Sequence, residues 1–481
     1  MKYLTITAGS FITIFTAILW APAQDAKLTS TPQKPFKDGT VMVETGRSGK
    51  GPWKAQKTRL LELLDGYTQQ KPVSMDRYGG RLDQKGDKAT GFFYVEKIGK
   101  RWWWIDPDGN RYFNIALDVV SPGHGPTEQK AFQAKYATED VWKQQTADFL
   151  WANGFSCLGA WSQYKLLSSA TKPLSYTIIE NFMAGFGKAV GLTAPAAGHT
   201  GFERECFPVF HPDFPAYCDT YAQNLVATAK DPYLLGIWSD NELQTPADVL
   251  DRNLSADVKK NPNMKPGHDA AVAWLAARGH DAQHITNEDR TDFVAYVFDT
   301  YYKIVSASIR KYDPHHLFLG ERLMSEGGVY QNQALWKAMG KYADVVSVNW
   351  YHAWGPDPEV ISRWTQWSQK PILLTEWYAK AGDVPGLANV GGAGWIVKTQ
   401  EDRAKYYQHF MLACYESGSI VGAHYFKYQD DPADSVRLDS KGGANKGFFN
   451  ARYEPYAPLV KRAQAVNQQV YSLIDFFDNR K

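Results

Sequence analysis

From about residue 110 onward the sequence keeps one rhythm. Short runs rich in β-branched and aliphatic residues are separated by stretches with helical spacing. Eight such runs occur: Phe113–Val119, Phe155–Trp161, Ser175–Phe182, Leu234–Asn241, Leu317–Arg322, Val345–Trp350, Ile372–Glu376 and Ile420–Tyr428. Between them, apolar residues recur every three or four positions, as in Phe214, Tyr217, Tyr221 and Leu225, or Phe293, Val297, Tyr301 and Val305. Thr138 is placed to cap a helix carrying Val141, Trp142, Phe149 and Leu150 and ending near Gly154. The runs are continuous rather than alternating, as strands buried on both faces of a parallel sheet must be. Eight β/α units predict an α/β fold, a (β/α)8 TIM barrel, with a short β-rich N-terminal extension. That extension starts at Gly91, where strand-like segments flank the turn Asp108-Gly109-Asn110. A doubly wound sheet is the alternative, but no Gly-rich phosphate loop follows the first run.

The N-terminus reads differently. Lys2 precedes an apolar run, Leu4 to Trp20, that ends in the small-residue site Ala21-Pro22-Ala23. This predicts a secretory signal over residues 1–23, cleaved before Gln24, and a secreted or periplasmic protein. No other segment approaches the roughly 18 apolar residues of a membrane span, so no membrane partner is expected for the mature form. Residues 24–90 read as an arm or linker with one helix at Thr58–Leu64, and residues 91–481 as the barrel. A composition 44% hydrophobic and 22% charged excludes a disordered chain. A formal net charge of +2 argues against nucleic acid as the partner. Cys157, Cys206, Cys218 and Cys414 lack zinc-site spacing. Cys206 and Cys218 flank an irregular Pro- and Phe-rich stretch, and the sequence leaves their pairing open.

Polar and aromatic residues gather at the C-terminal ends of the runs, where a (β/α)8 barrel builds its active site. The fourth run leads into Ser239-Asp240-Asn241-Glu242 and the seventh into Thr375-Glu376-Trp377-Tyr378. A carboxylate at the mouth of an apolar strand is costly unless the site uses it. The fourth and seventh strands lie roughly across the mouth, so the two glutamates can face one another. Glycoside hydrolysis needs such a pair, one carboxyl to protonate the leaving oxygen and one to attack the anomeric carbon or activate water. No G-x-S-x-G elbow, H-E-x-x-H spacing or Walker loop offers another chemistry, and no cofactor is required.

The Asn-Glu ending the fourth strand and the Glu ending the seventh resemble the retaining (β/α)8 glycosidases of clan A. Four segments resemble, more narrowly, the agarases of glycoside hydrolase family 50: Gly99-Lys100-Arg101-Trp102-Trp103-Trp104-Ile105-Asp106-Pro107-Asp108-Gly109, Asp240-Asn241-Glu242-Leu243, Asp313-Pro314-His315-His316-Leu317-Phe318-Leu319-Gly320, and Gly422-Ala423-His424-Tyr425-Phe426-Lys427-Tyr428-Gln429-Asp430. The resemblance implies a β-agarase-like retaining hydrolase acting on a polysaccharide or oligosaccharide, with Glu242 as acid/base and Glu376 as nucleophile. Asn241 is then expected to bond the sugar 2-hydroxyl and Tyr351 to hold Glu376 ionised. Candidate stacking platforms are Trp161, Trp354, Trp377 and Phe426. Further substrate contacts are expected from Asn349, His124, His352, His424, Arg322 and Lys427, with Asp118 and Asp240 orienting polar neighbours. Long loops at 183–212, 243–285 and 378–398 are expected to wall the cleft. Another β-glycosidase activity, or a non-catalytic carbohydrate-binding barrel, remains open at this point.

Overall fold

The computed structural model describes residues 38–47, 51–244, 246–324 and 331–480. The expected export signal at 1–23 lies outside these residues. Nine strands form one parallel sheet: β1 (Asn114–Leu117), β2 (Cys157–Leu158), β3 (Ser175–Ile179), β4 (Leu234–Trp238), β5 (Leu317–Phe318), β6 (Arg322–Met324), β7 (Val346–Asn349), β8 (Ile372–Glu376) and β9 (Ile420–Tyr425). Their order is β5-β4-β3-β2-β1-β9-β8-β7-β6. The sheet curls, and the mixed α/β architecture is compatible with a TIM-like core. Each of the eight expected runs supplies a strand, and the one further strand, β6, begins at Arg322, where the fifth run was expected to end. β5 and β6 stand at the two ends of the order, although only residues 319–321 separate them in the chain.

Helices follow the strands: α1 (Glu139–Ala152), α2 (Phe182–Ala189), α3 (Phe214–Ala222), α4 (Asn287–Tyr312), α5 (Gln333–Tyr342), α6 (Pro358–Ser368), α7 (Gln400–Glu416), α8 (Ala457–Asn467) and α9 (Val470–Asn479). Their starts follow local chemistry. The Thr138 hydroxyl accepts the Val141 amide at α1, and Thr286 and Asp289 form a reciprocal capping box at α4. Asn332, Asp357 and Thr399 cap α5, α6 and α7 in the same way.

Two apolar layers hold the sheet. One face packs on the helices, where Trp336 of α5 stacks on Trp364 of α6 with ring centroids 4.4 Å apart. The other face gathers Leu235, Trp238, Leu319, Val345, Leu373 and Val421 with Tyr78, Phe93, Trp104 and Tyr112. Phe93, Trp104 and Tyr112 belong to the β-rich extension. There Tyr94–Ile98, Arg101–Ile105 and Asn110–Tyr112 pair antiparallel, with Arg81–Lys85 beyond them. The extension thus closes the end of the sheet opposite the strand C-termini and leaves those C-termini open.

The region expected to be an arm is structured from Asp38 onward and belongs to one compact unit with the rest. Thr40–Gly46 pairs with Lys54–Arg59, which is strand where a helix from Thr58 was expected, and a single 3-10 turn follows at Leu61–Leu63. Thr40–Gly46 also pairs with Trp395–Val397, far along the chain. The second pairing is long-range, so local spacing carries no sign of it. The guanidinium of Arg47 donates to the carbonyls of Ala393 and Tyr351, both at 2.6 Å, and lies 3.7 Å over the Trp395 ring. The expected loops also carry structure: a hairpin of Thr193–Pro195 with Thr200–Phe202, and helices Val249–Leu254 and Lys265–Ala277.

All four cysteines are buried thiols, so Cys206 and Cys218 form no disulfide. Cys218 sits within α3, and Cys206 Sγ lies 3.5 Å from Asn253 Nδ2, which donates to it. Among the described residues no helix is long and apolar enough to cross a membrane.

Val43 is fully buried and its neighbour Met42 is 56% exposed. Val43→Ala is expected to lower unfolding stability by about 1–3 kcal/mol, and Met42→Ala by no more than about 0.5 kcal/mol. Urea unfolding of both variants checks this; equal midpoints would mean that the N-terminal hairpin is not docked.

Candidate active site

Two backbone irregularities aim the paired glutamates. Along β7 and β8, Val348 faces Leu374 but Asn349 faces Glu376, so Thr375 is an extra, bulged residue. The bulge lets two consecutive side chains turn into the site. Thr375 Oγ1 donates to Asn349 Oδ1 at 2.7 Å, while the Glu376 carboxylate meets Arg322 and Tyr351. Trp377 then returns to the outer face and stacks on Phe410 of α7 at 3.9 Å. Beyond β4, Glu242 has φ +51°, a left-handed conformation that costs a side-chain-bearing residue about 1–2 kcal/mol. Val119 and Trp161, just beyond β1 and β2, share it with φ of +55° and +56°. Strain of this kind concentrates at functional sites.

Arg322, at the start of β6, is fully buried at the centre. Its Nη1 donates to Glu376 Oε1 at 2.8 Å and to Asn241 Oδ1 at 3.0 Å. Its Nη2 donates to Asp118 Oδ2 and to the Thr375 carbonyl, both at 2.6 Å. Asn349 Nδ2 donates to Asn241 Oδ1 at 3.2 Å and to Glu242 Oε1 at 2.8 Å. A chain of four hydrogen bonds, through Asn349, Asn241 and Arg322, therefore links Glu242 to Glu376. With Asn241 Oδ1 accepting from both neighbours, its amide nitrogen is the group left to meet a ligand. Tyr351 OH donates to Glu376 Oε2 at 2.5 Å.

The electrostatics follow from burial. Glu376 is 6% exposed, and desolvation pushes its carboxyl above the usual glutamate range. The Arg322 charge and the Tyr351 hydrogen bond pull in the other direction. Asp240 is pushed up to about 7 by burial, against the Tyr301 hydroxyl and the amides of Met183 and Ala184 at the start of α2.

The expected site residues divide by position. Asn241, Glu242, Arg322, Asn349, Tyr351 and Glu376 come together in one hydrogen-bonded cluster. Asp118 lies beneath them, and its Oδ1 accepts the Ala160 amide at 2.8 Å. Trp161 is 39% exposed at the rim, edge-on to Phe426 with centroids 6.3 Å apart and 4.5 Å above the Arg322 guanidinium carbon. The structure moves other candidates elsewhere. Trp377 is a fully buried packing residue, because the bulge returns it to the helix side. Trp354 is buried and its indole donates to Thr58 Oγ1. His424 is fully buried within β9, with Nε2 against Asn114 Oδ1 and Nδ1 3.7 Å from Asp118 Oδ1, so it supports the cluster from below. Lys427 is paired with Asp431 at 2.7 Å, beside His124 in a cleft of about 380 Å³. His352 rests against Trp350 with centroids 4.2 Å apart, and burial lowers it to about 4.

Two residues escaped sequence reasoning. His199, on the 193–202 hairpin, brings Nδ1 to 3.8 Å from Glu242 Oε2. It sits alone in a stretch legible only as a long loop, and no spacing marks it. Glu321 is a fully buried acid between β5 and β6, hidden by its place inside an apolar run. Among the described residues no group of three or more His, Cys, Asp or Glu side chains is arranged to hold a metal ion.

No family model matches the chain. β-Agarase B of Vibrio sp. (strain JT0107) is 25% identical over an alignment covering 82% of this chain and 50% of that protein. β-Agarase A of the same strain is 24% identical, covering 75% of this chain and 40% of its own length. The chain thus spans about half the length of the curated relatives it matches. The crystal structure of BpGH50 superposes with a TM-score of 0.80 at 29% identity, covering 94% of this chain and 98% of that one. The agarase AgWH50C superposes with a TM-score of 0.68 at 23% identity, covering 84% of this chain and 67% of that one, a likeness of fold. In sequence and backbone together, the chain is β-agarase-like, and its likeness lies with glycoside hydrolase family 50.

Proposed function

We propose that this chain is an exported, retaining glycoside hydrolase that cleaves β-linkages of an agarose-type galactan by double displacement. The observation that carries the reading is the hydrogen-bonded chain from Glu242 through Asn349, Asn241 and Arg322 to Glu376 at the open end of the sheet. The similarity to β-agarases supplies the substrate class. We read the nine strands as eight staves of a barrel, β5 and β6 being two halves of one. In support, the Leu319 and Arg322 amides bond the Ile237 and Asp240 carbonyls on one side, while β6 pairs with β7 on the other.

On this reading Glu376 attacks the anomeric carbon as Glu242 gives its proton to the departing glycosidic oxygen. Glu242 then takes a proton from water, which displaces Glu376 and restores both carboxyls. Retention asks for carboxyls about 5–5.5 Å apart. Arg322 and Tyr351 hold the Glu376 carboxylate by both oxygens, which fixes its direction and favours the ionised form that attacks. The Asn241 amide nitrogen meets the 2-hydroxyl, an interaction that strengthens in the transition state. The Trp161 ring at the rim offers a stacking surface for a neighbouring sugar.

Glu376→Gln is expected to lower kcat by a factor on the order of 10^4 or more while oligosaccharide binding persists. Product analysis against agarose, porphyran, carrageenan and β-mannan is expected to find cleavage of agarose, with the β-anomer first formed by NMR. Digestion of β-mannan alone would refute the galactan assignment, and an α-anomer would refute retention. A third expectation concerns pH. Glu376 must be ionised, and burial raises its pKa above the ordinary 4.5. Activity is therefore lost as pH falls through that raised value, and is lost again on the alkaline side where Glu242 gives up the proton it must donate. Tyr351→Phe removes a hydrogen bond that favours the ionised form, so the acid limb of kcat/KM should move upward by about one pH unit. An unmoved limb would detach Tyr351 from the nucleophile.

A further inference from the structure

The ladder between the extension of β4 and the segment joining β5 to β6 runs amide by amide. Ser239 donates to the Gly320 carbonyl at 3.0 Å, Arg322 to the Asp240 carbonyl at 3.1 Å, and Glu242 to the Arg322 carbonyl at 3.0 Å. There regular pairing stops, because Glu242 takes a left-handed conformation and the chain turns away. The next amide, Leu243, has no strand carbonyl to meet. It donates at 3.2 Å to Glu321 Oε2, a side chain from the opposite strand segment.

Glu321 is fully buried. Its own amide donates to the Tyr302 hydroxyl at 3.2 Å, and its Oε1 has no protein partner among the described residues. The Leu243 amide and Arg322 favour a negative charge on its carboxyl, and Asp240 and Glu242 disfavour one. Burial dominates and holds the carboxyl well above the usual glutamate range. The carboxyl offers an oxygen to the Leu243 amide in either protonation state, so the hydrogen bond does not depend on its charge.

We propose that Glu321 is a positioning residue for Glu242: its buried carboxyl accepts the Leu243 amide and so locks the turn that points the Glu242 side chain at Asn349 and toward Glu376. The inference rests on the reading of Glu242 as the acid/base. Glu321 touches no substrate. It acts by taking the one ladder amide that the turn at Glu242 leaves over, and no other acceptor lies on that amide among the described bonds.

Three variants test it on the full chain with an agaro-oligosaccharide substrate. E321Q keeps an acceptor of the same shape and is expected to retain kcat within about twofold, with an unchanged pH profile. E321L removes the acceptor and is expected to lower kcat at least tenfold with KM little changed, and E321L/E242Q is expected to be no slower than E242Q alone. E321M, flexible and also lacking an acceptor, replaces E321L if the latter fails to fold; if neither folds, E321Q decides, and a kcat loss beyond tenfold overturns the proposal. A normal kcat in E321L, or an E321Q as slow as E321L, overturns it as well. Full activity of E242Q would overturn the acid/base reading and this inference with it, whereas an inactive E242Q beside an unimpaired E321L overturns this inference alone.

Discussion

The guanidinium of Arg322 sits where water cannot reach it, held by Asp118, Glu376, Asn241 and a backbone carbonyl. A buried cation on this scale is tolerable because its charge and the donors on Nη1 and Nη2 are met by partners fixed in place. The partners come from three separate strand ends, those of β1, β4 and β8, and the arginine itself from the start of β6. The arginine therefore imposes registration on strands far apart in sequence. Trp161 and Trp238 flank its charge at 4.5 and 5.2 Å and keep solvent away. Asp118 and Glu376 both face this one cation, so either can balance it alone, and loss of both would leave an uncompensated buried charge at a cost of about 3–5 kcal/mol.

That dependence explains the layered character of the site. The inner layer of His424, Asn114 and Asp118 faces the apolar interior, and it fixes the layer above. The upper layer of Asn241, Asn349 and Arg322 offers directed hydrogen bonds. The two glutamates stand on top of it, at the end of the sheet that the N-terminal extension leaves open. The division suits a reaction that needs preset charge geometry rather than large motion.

Much of this was legible from residues alone. Continuous apolar runs marked eight of the nine strands of the parallel sheet, all but β6, and the Asn-Glu and Thr-Glu ends marked where the carboxyls gather. What the sequence hid has physical causes. Trp377 follows Glu376 directly, and only the bulge at Thr375 sends the two to opposite faces. His424 looks like a sugar ligand until its strand register places it below the opening. Glu321 lies within an apolar run, where a buried acid is indistinguishable from a solvent-facing one. The N-terminal hairpin finds its partner strand hundreds of residues later, so no local period could announce it.

The clasp made by Arg47 ties time to function. It grips the carbonyl of Tyr351, whose hydroxyl holds Glu376, and it does so across 304 positions of chain, with its second grip 346 positions away at Ala393. During synthesis the hairpin emerges early and waits, unpartnered, until the Trp395–Val397 strand follows. The support of Glu376 is finished only when the first and the late parts of the polypeptide meet, so the cluster is assembled as one event rather than piece by piece.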